Sequence, residues 1–265
     1  MLIDTHCHIH EASYPLDGDE VIARAHQAGV GQIICVGTNE ASSREAMEFA
    51  SKYDDVFASI GVHPHYAKDG IGNLGQLVES VYSGKGNNKL VAIGEIGLDY
   101  YYENSPREDQ IRVLRQQIEL ALKYNLPIIF HVRDAYEDFW SVLDSFKAKV
   151  EQTGKPIRGV LHCFTDSAAN AKECLKRGLL IGVNGISTFT KDESQKAMFA
   201  ALPIDKIILE TDAPFLTPNP LRGKVKVNEP AFVKDIAEFN GAIRQITFDE
   251  VANTTTANAR ALFNL

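Results

Sequence analysis

His6 and His8 stand two residues apart in the run IDTHCHIH, and in an extended segment that spacing sends both imidazoles to one side. Two imidazoles on one face can grip a single cation. Four further residues of ligand type recur along the chain: Glu95, His131, His162 and Asp212. Six ligands of mixed nitrogen and oxygen character exceed what one tetrahedral zinc site uses. Two cations about 3.5–4 Å apart, bridged by a carboxylate, would use them all; such a pair makes hydroxide near neutral pH and stabilises both attacking and leaving oxygens. Imidazole and carboxylate suit zinc, manganese or another first-row ion, whereas magnesium prefers oxygen. The expectation is two divalent cations per chain (magnesium, manganese or zinc), with no choice made among them.

The neighbours of these residues sort by parity. Asp4 shares the parity of His6 and His8 deeper in the same segment and is expected to orient a ligand. Glu210 is expected to support Asp212 in the same way. Cys7 has the opposite parity, which argues against a thiolate site. His63 and His65 flank Pro64, and His63 is the better placed to touch substrate. Plainer roles compete for each residue taken singly. A histidine at a strand end can serve only as a hydrogen-bonding cap, Glu95 can pair with Arg133, and Asp212 can simply begin the turn at Ala213-Pro214. The metal reading rests on their joint placement.

That placement depends on the elements beneath. Short apolar runs rich in Val, Ile and Leu occur at 2–5, 32–36, 56–61, 90–95, 127–131, 159–162, 179–183 and 206–210. Near-continuous apolar runs of this length suit strands covered on both faces, as in parallel sheets. Helical segments lie between them. Ser105-Pro106-Arg107-Glu108 and Thr247-Phe248-Asp249-Glu250 read as capping boxes, and Ser167 reads as a cap for a helix that Gly178 ends. After Ser105, Ile111, Leu114, Ile118 and Leu122 fall near one face. Eight strand–helix units can close on themselves, so the chain is expected to form a single (β/α)8 TIM-type barrel, one domain over residues 1–265. In such a barrel the carboxyl ends of all strands open on one face, where active sites are assembled. Glu95, His131 and His162 are expected at the ends of the fourth, fifth and sixth strands, and Asp212 at the eighth.

Composition bounds the partners. The 265 residues carry 27 Lys+Arg and 35 Asp+Glu, a net charge of −8, which does not by itself attract nucleic acid. Binding to DNA is therefore expected to be weak and salt-sensitive. The four cysteines include no CxxC pair and read as reduced thiols of a cytoplasmic protein. The start has no signal-peptide pattern, and no run approaches the length of a membrane-spanning helix. Nothing points to a membrane or to an obligate protein partner.

The runs IDTHCHIH, GVHPH, GEIGLDYY, PIIFHVRDA, LHCFT and ETDAPFLTP, in this order and spacing, resemble the TatD family of metal-dependent deoxyribonucleases, part of the amidohydrolase-like hydrolases. The match runs from Met1 to about Pro230. The resemblance implies a TIM barrel, a divalent metal pair and hydrolysis of DNA phosphodiester bonds, often from a 3′ end. It implies that His6 and His8 bind one metal, that Glu95 is shared, and that His131 and His162 bind the second. Asp212 then binds metal and positions or deprotonates the attacking water. Two departures touch substrate contacts rather than ligands. Asp166 stands where the family usually has glycine after His-Cys-Phe-Thr, and the basic loop 222–230 is longer by two residues.

The leading expectation is thus a nuclease acting 3′ to 5′ on single-stranded or frayed DNA. Arg222, Lys224 and Lys226 would hold flanking phosphates, and Tyr100, Tyr101 and Tyr102 would stack on unpaired bases. The alternative keeps the site and changes the bond: an amide, lactone or aminoacyl-ester hydrolase, with aminoacyl-tRNA among its possible substrates. A non-catalytic binding module is the third class, and a complete ligand set argues against it.

Overall fold

A computed structural model describes residues 1–83 and 89–265. Eight strands follow one another round a wholly parallel sheet in chain order. They are β1 (Leu2–Cys7), β2 (Val30–Val36), β3 (Val56–Ile60), β4 (Leu90–Asp99), β5 (Ile128–Arg133), β6 (Gly159–Leu161), β7 (Leu180–Val183) and β8 (Ile207–Leu209). Helices link successive strands, and the whole is a (β/α)8 TIM barrel. No helix among the described residues is long and apolar enough to cross a membrane.

The barrel closes where its first and last strands meet. Thr5 Oγ1 donates to Leu209 O at 2.9 Å, Asp212 N to His6 O at 2.8 Å and His8 N to Ala213 O at 2.7 Å. The last two bonds lie beyond the end of β8. The seam is therefore made partly by the segment that carries Asp212.

Two apolar cores flank the sheet. The larger fills the space between strands and helices and includes Val21, Ile22, Leu114, Ile118 and Phe139. The smaller joins Ile34, Ile129, Val160 and Ile208 to Leu262 and Phe263 of the helix Phe248–Phe263. Ile129, Val160 and Ile208 have the strand parity of His131, His162 and Asp212, so the same strands that make this apolar floor carry ligand-type residues further along.

Three expectations need correction. Neither Glu95 nor His131 ends its strand: β4 runs on to Asp99 and β5 to Arg133, because a register shift after Ile93 lets their pairing resume from Ile96↔Phe130 to Asp99↔Arg133. The apolar run breaks at Glu95 while the backbone ladder does not. Secondly, Ser105 does not cap the helix Arg107–Tyr124, whose N-cap is Pro106. Its hydroxyl is engaged elsewhere, donating to His65 O at 2.9 Å and accepting from Lys68 N at 3.1 Å. Thirdly, His162 and Asp212 lie just past the ends of β6 and β8 rather than on them. Ser167 and Thr247 do cap their helices, accepting from Asn170 N and Glu250 N.

One glycine is fixed by the fold. Gly97 pairs with His131 across β4 and β5, and a Cβ there would sit 1.7 Å from the His131 carbonyl oxygen. The close approach of the two strands beside His131 requires its absence.

Candidate active site

His8 anchors one half of the site. Its Nδ1 lies 2.9 Å from Val36 O, and since a carbonyl only accepts, that nitrogen carries a proton and Nε2 is the atom turned toward Asp212. The Nε2 atoms of His6 and His8 are 3.2 Å apart. Asp212 Oδ1 lies 3.5 Å from His8 Nε2 and 3.7 Å from His6 Nε2. Asp212 itself adopts a left-handed backbone (φ 57), an uncommon conformation for a non-glycine residue, held by the bond from its own N–H to His6 O.

Asp4 accepts from the His6 backbone N–H at 3.4 Å but does not hold its ring, whose Nδ1 is buried and has no hydrogen-bond partner. Asp4 also accepts from Thr211 N at 2.8 Å and Thr211 Oγ1 at 2.6 Å, tying β1 to the residue before Asp212. Burial pushes the Asp4 carboxyl up to about 8, against the lowering effect of those bonds.

Glu95 joins the two halves, and its oxygens face different partners. Oε2 lies 3.5 Å from His6 Nε2, while Oε1 lies 2.9 Å from His131 Nδ1, 3.5 Å from His63 Nε2 and 3.7 Å from His162 Nε2. It makes no ion pair with Arg133, which lies over the rings of Tyr101 and Tyr102. Ligand-type atoms converge, among the described residues, in four groups. These are His6–His8–Asp212, His6–Glu95–His162, His63–Glu95–His131 and His162–Cys163–Asp212. His63, expected as a substrate contact, thus sits among potential ligands. His131 and His162 share Glu95 without sharing a group.

Outer partners hold the imidazoles. Glu210 Oε1 lies 2.9 Å from His162 Nδ1, close enough to pair by charge although poorly aligned for a hydrogen bond, and accepts from Cys163 N at 2.7 Å. Asp99 was not singled out in the sequence. Its Oδ2 lies 3.0 Å from both His131 Nε2 and His65 Nε2, and its Oδ1 accepts from the backbone N–H of Tyr101 and Tyr102. A signal for it did exist: Asp99 shares the parity of Glu95 on a strand that continues four residues further.

Burial opposes ionisation of Glu95, yet His63, His162, His131 and His6 together hold it well below the usual carboxylate range. Asp212 is held low by His8 and His162 against the same burial. Burial and His162 depress His6, and burial depresses His63 further. In contrast, Glu210 and Glu95 outweigh burial and raise His162 to about 10. The carboxylates thus demand compensating positive charge, which His8, His131 and His162 are held up to supply while His6 and His63 are too buried to do so.

A divalent cation fits that demand. Two nitrogens each about 2.0–2.1 Å from one tetrahedral cation sit roughly 3.3 Å apart, close to the 3.2 Å between His6 and His8 Nε2. The mixture of imidazole and carboxylate is the donor set of first-row ions.

The cluster lies in a cavity of about 860 Å³ walled also by Tyr101, Tyr102 and Arg133, within the range of about 300–1,000 Å³ common for ligand sites. Tyr100 is half-buried, its hydroxyl donating to Asp138. Arg222 and Lys224 do not line this cavity. The Arg222 guanidinium lies over Phe189, 3.8 Å from the ring centroid.

A parallel barrel with convergent histidines and carboxylates at the carboxyl ends of its strands defines a metal-dependent hydrolase. The family model of TatD related DNase matches residues 3–264, and the chain belongs to that family. A relative from Bacillus subtilis (strain 168), named as the uncharacterized metal-dependent hydrolase YabD, is 40% identical over 265 residues, all of both chains. The 3'-5' ssDNA/RNA exonuclease TatD of Erwinia tasmaniensis is 34% identical over 272 aligned residues, again all of both. The crystal structure of YjjV, a TatD homologue from Escherichia coli K12, superposes with a TM-score of 0.87 at 30% identity, covering 100% of this chain and 98% of that one.

Proposed function

We propose that this chain removes nucleotides from the 3′ ends of single-stranded or frayed DNA, hydrolysing phosphodiester bonds with the help of two divalent cations. The observation that carries the two-cation reading is the division of Glu95. One of its oxygens faces His6, which adjoins His8 and Asp212, and the other faces His131, His63 and His162. A carboxylate placed between two ligand sets suits a bridge. The Erwinia relative, named for 3′–5′ cleavage of single-stranded DNA and RNA, supports the choice of bond.

In this reading His6, His8 and Asp212 hold one cation and His131 and His162 the other, with Glu95 shared and His63 available to either ligand or substrate. When bound, the cations supply Lewis-acid polarisation of the scissile phosphate and of water. Asp212, held ionised, aligns the attacking water and takes its proton. Glu210 and Asp99 steady the imidazoles of His162 and His131. Tyr101 and Tyr102, both more than half exposed, offer unpaired bases the ring surface that Arg133 leaves free. Arg222 and Lys224 meet phosphates outside the cavity. The barrel acts as one domain, without an obligate protein partner, in the cytoplasm, where its four free cysteines stay reduced.

The test is hydrolysis of 5′-labelled single-stranded DNA by metal-stripped protein with magnesium, manganese or zinc restored, beside a Glu95→Gln control. A metal-dependent ladder shortening from the 3′ end, absent in the variant, is expected. No cleavage with any ion, despite two cations bound per chain, would turn the reading to carbonyl hydrolysis.

A further inference from the structure

The cavity wall is poor in positive charge for a site that takes a polyanion. Glu11, Glu95, Asp134, Asp166 and Asp212 all line it, and Arg133 is the one Lys or Arg residue among the described residues that does. The histidines that line it face Glu95, Asp212 or Asp99. A substrate phosphate away from the cleavage point therefore has a single fixed cation to meet inside the cavity.

Arg133 is built to be that cation. It is exposed, and among the described residues it has no carboxylate partner. Its guanidinium lies 4.1 Å from the centroid of the Tyr101 ring and 4.9 Å from that of Tyr102. The two rings meet edge to face at 4.8 Å. Stacking on aromatic faces fixes the plane of a guanidinium while leaving its N–H edges unspent, which suits a planar fork for phosphate oxygens. The support reaches back to the ligand cluster. Tyr101 N and Tyr102 N both donate to Asp99 Oδ1, whose Oδ2 faces His131 Nε2, and Asp99 pairs with Arg133 across β4 and β5. Arg133 is thus set at a fixed offset from the reacting centre, two residues along the strand from His131.

We propose that Arg133, clamped by Tyr101 and Tyr102, is a subsite for one phosphate next to the scissile one. Among the described residues every other Lys and Arg lies outside the cavity, so this subsite is the one Lys or Arg contact inside it for a flanking phosphate, while Arg222 and Lys224 meet phosphates further along the strand. The inference rests on the phosphodiester reading above and gives that reading its length scale.

The test compares three thymidine dinucleotides, one without terminal phosphate, one with a 5′-phosphate and one with a 3′-phosphate, on wild-type and Arg133→Met enzyme with metal restored. In the wild type one phosphorylated form is expected to show a KM lower by about tenfold or more, the worth of a charge-assisted hydrogen bond. In Arg133→Met that preference collapses to within about twofold. On a single-stranded oligonucleotide, the slope of log affinity against log salt becomes shallower by about 0.7, one phosphate contact. Arg133→Lys retains the charge without the fork and restores the salt slope but only part of the KM preference. A preference that survives Arg133→Met, or cleavage by the wild type with no preference, overturns the subsite alone. Failure of the wild type to cleave any of the three while it shortens 5′-labelled single-stranded DNA overturns the subsite alone; failure on both overturns the phosphodiester reading and the subsite with it.

Discussion

His131 is held between two carboxylates, its Nδ1 2.9 Å from Glu95 Oε1 and its Nε2 3.0 Å from Asp99 Oδ2. Asp99 is fully buried and fixed by backbone N–H donors, so it supplies a stationary acceptor for one ring nitrogen and leaves the other directed at the centre of the site. Asp99→Asn keeps the acceptor for Tyr101 and Tyr102 but loses the charge facing His131. Metal affinity should fall by about 10–100-fold, as for other outer partners of a ligating histidine. Competitive titration with a chelating dye measures it; an unchanged affinity would remove Asp99 from the site's support.

Gly97→Ala addresses the packing beneath the same histidine. A Cβ at 1.7 Å from His131 O cannot be accommodated without parting β4 from β5. The cost should reach or exceed about 1–3 kcal/mol, the usual range for overpacking a tight core. Urea unfolding should show a lowered midpoint at constant slope, and hydrolysis should fall with it because His131 moves.

Thr211→Val tests the tie between β1 and the residue before Asp212. The substitution keeps the shape but strips Asp4 of the Oγ1 donor at 2.6 Å and leaves Ala213 N without its acceptor. A loss of about 1–3 kcal/mol is expected for leaving buried polar groups unpaired. A change under about 0.5 kcal/mol in the unfolding free energy would mean that the Asp4–Thr211 bond adds nothing to the seam.

Removal of metal should separate function from fold. The apolar cores do not include the ligand cluster, so chelation is expected to abolish hydrolysis while the far-ultraviolet circular dichroism spectrum stays the same. Adding the ion back at about 100 times its Kd should raise the unfolding free energy by about 2.7 kcal/mol. Loss of the circular dichroism signal on chelation would instead make the metal part of the folding core.

Much of this arrangement was legible in the chain because ligand-type residues were rare and recurred at the ends of apolar runs. His6 and His8, Glu95, His131, His162 and Asp212 do come together in space, and the eight runs do become eight parallel strands. Asp99 escaped because the apolar pattern stops at Glu95, whereas strand pairing continues through backbone groups that leave no trace in side-chain hydrophobicity. The Ser105 capping pattern misled for a related reason: its hydroxyl could satisfy either the helix or the loop bearing His65, and tertiary contacts decided for the loop. Arg222, read as a substrate contact by charge alone, lies outside the cavity over an aromatic ring from a segment more than thirty residues away, a placement that its charge could not foretell. Asp4 had the right parity but the wrong partner, since parity gives a direction and says nothing of which neighbouring strand offers the nearer donor.

The bonds from Asp212 N to His6 O and from His8 N to Ala213 O bring the earliest and nearly the latest parts of the barrel to one spot. During synthesis the two histidines leave the ribosome well before Asp212 and wait, unpaired with any carboxylate from the far end, until the chain has been made past Ala213. A half-made chain therefore lacks the complete His6–His8–Asp212 set, which assembles only when the ring of strands can shut.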